Sequence, residues 1–441
     1  SFVIEIMARL LAATARTVRQ AVPRDARRWY SGVGTKAVKG GEITRTQGHM
    51  KSSDAIAVPI VQNAAYTFAD SQQLIDYNEE RYASYEYGRY GNPTVRALEL
   101  KMMELEGAED CVASASGMFT AVSMMMALIP QGGRIVTTTD CYRRTRQFLK
   151  ENLSKMGVEN VVIPPGDLAA LEREVSKGAA LFFSESPTNP TLRCVDIPAA
   201  AAICKKAGTI MCIDGTFSTP YNQRPLDLGA DIVIHSATKY LGGHHDVIAG
   251  VLSGRKEHVQ KVRDLGGVLG GILDPHAAYL VLRGLKTLHL RVAQQNKTAE
   301  ALADVLSKHP KIKKTIYPTL PDHPDHAFAV QQATGFGGVI SFEVEGGLHA
   351  GAMFCDTTKL PHIAPSLGGC DSLVEQPTII SYWNVPPDER KMYGIEDGLI
   401  RFAAGVENTE DIVNDVLQAL DKLETSKQYL KDSHEDWIIK D

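Results

Sequence analysis

Two stretches, "TIMCIDG" (209–215) and "ADIVIHSATK" (230–239), are near-continuous apolar runs; Asp214 closes the first and Lys239 follows the second. A strand that is apolar on both faces belongs in a parallel sheet covered by helices on both sides. The neighbouring sequence agrees. "AAAAICKKAG" (199–208) reads as a helix with a terminal Gly, and "AALFFSESP" (179–187) and "GRIVTTTD" (133–140) read as further strands. "RALELKMMELEG" (96–107) carries apolar residues at 98, 102, 103 and 105 before a Gly stop, the pattern of a helix. Helices alternating with such strands predict an α/β fold with a mostly parallel sheet. In these sheets the ligand crevice lies at the carboxyl ends of the strands. Asp214 and Lys239, one crossover apart, are therefore expected to open onto the same crevice.

Towards the C-terminus a long helical stretch, 276–309, leads into a smaller domain with strand-like "GGVISFEVEG" (337–346) and "GLIRFAAGV" (398–406). The closing helix "TEDIVNDVLQALDKLE" (409–424) offers Thr409 as its N-cap, with acids in the first turn. "GGVLGG" (266–271) reads as a mobile loop, since it lacks the GxGxxG spacing that opens a dinucleotide-binding helix. At the other end, "ARLLAATARTVRQAVPRDARRWYSG" (8–32) is rich in Arg with Asp25 as its single acid, the composition of an organelle-import leader. The domains expected are a leader over 1–45, an arm over 46–100, a large domain over 101–300 and a small C-terminal domain over 301–441.

The 441-residue chain carries a net charge of −5, which gives no electrostatic footprint for nucleic acid or an anionic membrane. Its longest apolar runs are far shorter than a membrane helix needs. There are 7 cysteines, an odd number, with no CxxC and no zinc spacing, so free thiols in a reducing compartment are expected and no metal site.

The chemistry gathers around the crevice. "SASGMFTAVSMMMAL" (114–128) is a small polar turn feeding an apolar helix, whose N-terminal amides around Gly117 and Met118 make an anion site. Ser236 and Thr238 add hydroxyls. An anion site, a carboxylate and a lysine answer the three demands of pyridoxal phosphate: phosphate donors, an acid that keeps the pyridine nitrogen protonated, and an amine for the aldehyde. A plain Asp214–Lys239 ion pair is the competing reading; a P-loop is excluded, because no GxxxxGK[ST] occurs. His244 and His245 are adjacent in an extended loop and face opposite ways. Arg401 shares a strand face with Leu399 and Ala403, so it should be buried and should need a carboxylate, from substrate or from the chain.

"SATKYLGGHHDVIAG", "ASGM", "DCY", "ESPTNPTLRCVDI", "CIDGTFSTP", "RGLKTLHLRV" and "RFAAGVEN" resemble the Cys/Met-metabolism family of fold-type I pyridoxal-phosphate enzymes, across about residues 52–425. "YEYGRYGNPT", "TTTDCYRRTR" and "IAPSLGGCDSLVEQPTIISYW" are most similar to its plant-type cystathionine γ-synthases. The resemblance implies an aspartate-aminotransferase-like fold and a homotetramer with shared active sites. It implies that Lys239 is the Schiff-base lysine and Asp214 the pyridinium partner. Gly117, Met118, Ser236 and Thr238 match phosphate binders, and Tyr142 matches the tyrosine that stacks on the ring and acts as a base. Tyr87 and Arg89 match the pair from the arm that reaches a neighbouring subunit's phosphate. Asn189 corresponds to a residue near the ring hydroxyl, and Arg401 with Ser366 to the site for the substrate α-carboxylate.

Two departures bear on specificity. "YRRT" places Arg143 and Arg144 beside Tyr142 where the wider family has "YGGT", and Pro365 stands where bacterial synthases often have Glu. Losing an acid and gaining bases favours an anionic leaving group. The expected reaction joins L-cysteine to an activated homoserine, O-phosphohomoserine before its acyl esters, to give cystathionine in methionine biosynthesis. Cystathionine γ- or β-lyase, methionine γ-lyase and homoserine sulfhydrylase use the same residues, and a binding scaffold without turnover is the non-enzyme alternative. By resemblance the leader directs the chain to a plastid; its scarcity of Ser points to a mitochondrion, and without a targeting role the protein is cytoplasmic. "ITRTQGH" (43–49) also departs from the family pattern.

Overall fold

The computed structural model describes residues 32–41, 55–423 and 429–430. Most of the leader, and "ITRTQGH", lie outside these. Helix α1 (Val33–Lys39) falls inside the expected leader, yet it is docked: Lys101 Nζ donates to the Ala37 and Val38 carbonyls at 3.0 Å each.

Helix α2 (Pro93–Glu106) starts at Asn92, whose side chain accepts from the amides of Thr94 and Val95, and ends at Gly107 in the left-handed region. Strand β1 (Asp110–Ser114) leads through Ser116, the cap of the next helix, into α3 (Gly117–Leu128). β2 (Arg134–Thr138), α4 (Arg143–Glu151), β3 (Glu159–Ile163), β4 (Leu181–Glu185), α5 (Ile197–Ala207), β5 (Ile210–Asp214), β6 (Ile232–Ser236) and β7 (Gly250–Gly254) follow. They form a seven-stranded sheet in the order β1-β7-β6-β5-β4-β2-β3, parallel except where β7 runs against β1 and β6. The runs singled out in the sequence are its central strands, and their side chains feed hydrophobic clusters on the two faces.

"GGVLGG" is not the loop its composition suggested. Helix α6 (Lys256–Leu269) runs through Gly266 and Gly267 and stops at Gly270, φ 81°. The helix packs against α3, which outweighs the poor helix propensity of glycine, and the close approach to the Phe119 ring comes only after the helix ends, where a Cβ on Gly271 would lie 2.2 Å from it. The long helical stretch is two helices, α7 (Pro275–Leu285) and α8 (Leu288–Leu306). A second, five-stranded sheet then forms from β8 (Ile312–Ile316), β9 (Val339–Val344), β10 (His362–Ile363), β11 (Leu373–Glu375) and β12 (Leu399–Ala403), in the order β10-β11-β12-β9-β8. The last helix, α9 (Thr409–Asp421), takes Asn408 as N-cap; the Thr409 hydroxyl is instead 2.8 Å from that of Thr298 on α8. No described helix is long and apolar enough to cross a membrane.

Candidate active site

β5 ends at Asp214, and the turn after it folds back on the carboxylate. The Thr216 amide donates to Asp214 Oδ1 at 2.9 Å and the Thr216 hydroxyl at 2.5 Å. That hydroxyl oxygen also accepts the Ser236 amide, at 2.8 Å, which ties the ends of β5 and β6 together. Burial raises the Asp214 carboxyl above the usual range, against the pull of the Thr216 bonds and of His235. Across from Ser236 lies the start of α3. The Ser116 side chain caps the Phe119 amide, while the amides of Gly117 and Met118 have no acceptor among the described residues. A Cβ on Gly117 would come within 2.8 Å of Ser236 Cβ, so glycine is what lets the helix N-terminus approach β6. The Thr238 hydroxyl, by contrast, is engaged with Ala249, donating to its carbonyl at 3.2 Å and accepting its amide at 3.1 Å.

Lys239, on the turn after β6, donates from Nζ to Ser366 Oγ at 2.8 Å. Ser366 is held at φ 103°, a conformation that costs a non-glycine residue energy and persists only where the surroundings over-determine it. Its carbonyl accepts from Arg401 Nη2 at 2.5 Å, and Arg401 Nη1 reaches Asn189 Oδ1 at 3.1 Å. Arg401 is buried, as its strand face implied. The chain supplies the acid that the sequence did not reveal: Glu375, paired with Arg401 across β11 and β12, lies 3.0 Å from Nη1. Arg401 Nε is buried and has no hydrogen-bond partner among the described residues. Burial, and then the Arg401 charge, lower the Lys239 pKa to about 8, against the opposing pull of Glu375. Tyr142 precedes α4 and lines a small open pocket with Arg143, Asn189 and Glu375. Arg143 makes no ion pair among the described residues, whereas Arg144 turns outward to Gln147 at 2.7 Å.

Of the twelve residues singled out in the sequence, Lys239, Ser366, Arg401 and Asn189 join one hydrogen-bonded path, with Tyr142 lining a pocket beside Asn189, while Asp214, Ser236 and Gly117 join a second group where β5, β6 and α3 meet. Tyr87 and Arg89 join neither. Both are exposed, Arg89 donates to the Gly267 carbonyl at 2.8 Å, and its guanidinium lies 5.0 Å from the Tyr87 ring centre and 5.3 Å from that of Tyr90.

The sequence profile described as "Cys/Met metabolism PLP-dependent enzyme" matches residues 35–421. The chain belongs to this family. It is 55% identical over 372 residues to cystathionine gamma-synthase 1, chloroplastic, of Arabidopsis thaliana, covering 84% of this chain and 66% of that one. The Nicotiana tabacum protein of the same name is 53% identical over 391 residues, 88% of this chain and 72% of that protein. Among solved structures, metB from Corynebacterium glutamicum superposes with a TM-score of 0.82 at 33% identity, covering 89% of this chain and 99% of that one. The fold is therefore that of the fold-type I pyridoxal-phosphate enzymes, a large mostly parallel sheet with a smaller second sheet.

The residues present fit the family's cofactor. Unpartnered helix amides beside Ser236 suit a phosphate, and the approach is close enough that a Cβ on Gly117 would fill it. A half-buried carboxylate stands at the end of β5, and an amine of lowered pKa follows β6. Sequence reasoning missed Thr216, Glu375 and Glu185. Glu185 ends β4 as Asp214 ends β5, and "FFSE" beside "MCID" is a signal that parallel strand ends carry acids to one crevice.

Proposed function

We propose that this enzyme joins L-cysteine to an activated homoserine, O-phosphohomoserine in preference to its acyl esters, to form L-cystathionine in methionine biosynthesis. The connected path Lys239–Ser366–Arg401 carries the reading, because it sets a proton-moving amine beside a site for an amino-acid carboxylate. The names of the plant relatives support the same reaction. Pyridoxal phosphate, when bound, supplies an electron sink that stabilises negative charge on the substrate carbons.

The chain's own residues do the rest. The Gly117 and Met118 amides and Ser236 would hold the cofactor's phosphate, and Thr238 would join them once its hydroxyl turns from the Ala249 carbonyl; Asp214 would keep the ring nitrogen protonated, and Tyr142 and Asn189 would hold the ring. Lys239, with a pKa near 8, exists partly as the free amine at neutral pH and moves protons at Cα and then Cβ of the substrate. Arg401 turns its unpartnered Nε–H and its fork towards the α-carboxylate, with Ser366 fixing the guanidinium. Tyr142 takes the proton of the incoming thiol or amine. Arg143, unpaired at the pocket, meets the leaving phosphate; Arg144 does not, since it is turned to Gln147. Pro365 keeps a negative charge away from that side. Tyr87 and Arg89 complete the phosphate site of a neighbouring subunit, which makes a homotetramer with shared sites the working form. The word chloroplastic in the relatives' names supports a plastid location.

Purified protein given O-phosphohomoserine with and without cysteine tests this. Cystathionine is expected only when both are present, and faster than from O-succinylhomoserine. 2-Oxobutyrate from cystathionine or methionine alone would mark a lyase instead.

A further inference from the structure

β4 and β5 run parallel with Glu185 opposite Asp214, so both side chains leave the same face at the carboxyl end of the sheet. Glu185 is only 6% exposed, and its Oε1 accepts the backbone N–H of Tyr142. Asp214, Asp140 and Arg146 are the charged groups that face it, with the Cys141 thiol and the Tyr382 hydroxyl also near. Arg146 is committed elsewhere: it donates to the Thr139 carbonyl at 2.7 Å and stacks 3.9 Å from the Tyr393 ring centre. No ion pair reaches Glu185 among the described residues. Two carboxyls side by side in a buried site cannot both be charged. Asp214 receives two hydrogen bonds from Thr216, which favour its ionised form, while Glu185 receives one amide. The proton therefore belongs on Glu185.

We propose that Glu185 is a positioning residue that works uncharged: its protonated carboxyl anchors the backbone of Tyr142 and sets no second negative charge directly opposite Asp214 on β4 and β5. The roles of Asp214 and Tyr142 assigned above are its premise. Burial, with Asp214 adding to it, pushes the Glu185 carboxyl well above the usual range, in the same sense.

The infrared spectrum of holoprotein labelled with ¹³C-carboxyl glutamate reads the proton directly and needs no variant. A protonated carboxyl band that shifts with the glutamate label at pH 7 and disappears in Glu185→Gln is expected. Glu185→Gln keeps an acceptor for Tyr142 without a charge, so its affinity for pyridoxal phosphate should stay within about threefold of the parent and its visible band should not move. Glu185→Ala should keep the band but lose about 10- to 100-fold in kcat/KM, because Tyr142 is no longer held. Four results would each overturn the proposal: no labelled protonated band in the parent, a band that survives in Glu185→Gln, a tenfold or greater loss of cofactor affinity in that variant, or undiminished kcat/KM in Glu185→Ala. Failure of the premise looks different, since the parent itself would then carry no borohydride-reducible chromophore at Lys239.

Discussion

The Lys239 amine shares its pocket with the Arg401 guanidinium, and its pKa of about 8 is bought with folding stability. A lysine whose folded pKa lies below its unfolded value binds fewer protons when folded, so the penalty is complete below about pH 8 and fades as pH rises towards 10.5. Cofactor-free Lys239→Met should accordingly be more stable than the cofactor-free parent at pH 7, by about 1–3 kcal/mol. Denaturant titrations at pH 7 and pH 10 check this, the gap shrinking at the higher pH. Arg401→Lys keeps the charge but loses the fork, and should raise KM for the amino-acid substrate about 10- to 100-fold with a smaller change in kcat; steady-state kinetics decide it. At this scale the sequence was readable where a residue's own neighbours set its state. The burial of Arg401 followed from Leu399 and Ala403 on the same strand face. Its pairing with Glu375 did not, because that depends on which strand lies beside β12. The bond from Lys239 to Ser366 spans 127 residues and was equally out of reach of local pattern.

The elements were legible where burial on both faces or capping speaks locally, as in β4, β5, β6 and α2. They were misread where tertiary packing outweighs propensity. Gly266 and Gly267 belong to a helix whose packing against α3 outweighs their poor propensity, and Thr409 gives its hydroxyl to α8 where Asn408 begins the helix. A close approach of helix to strand yields a prediction at the start of α3. Gly117→Ala would place a methyl 2.8 Å from Ser236 Cβ and 2.9 Å from its Cα. The helix N-terminus must then retreat from β6, and affinity for pyridoxal phosphate, measured by titrating the cofactor-free protein, should fall about tenfold or more. Gly117→Ala that binds the cofactor as tightly as the parent would show that the α3 amides do not hold the phosphate.

Across the whole molecule, Lys239, Ser366, Arg401 and Asn189 form one hydrogen-bonded path and Asp214, Ser236 and Gly117 meet at neighbouring strand and helix ends, while Tyr87 and Arg89 stand on the surface. If they serve a neighbour, subunits with different lesions should rescue one another. Arg89→Ala and Lys239→Ala proteins, each inactive, should regain about a quarter of parental activity when unfolded and refolded together, as hybrid sites form. No recovery in a mixture shown to contain hybrids would assign both residues to the surface alone. The mostly parallel sheet, with Asp214 and Lys239 at the carboxyl ends of neighbouring strands, followed from chain pattern, whereas the strand order did not, because it is set by packing between distant segments. An interface between copies leaves no comparable periodic trace, so the arm's role rests on resemblance. The central claim is that each chain carries one pyridoxal phosphate, joined to Lys239 and facing Asp214. Borohydride reduction of the native protein followed by peptide mapping reads this directly: a single reduced adduct on the peptide containing Lys239 is predicted, and an adduct at another lysine, or none, would contradict it.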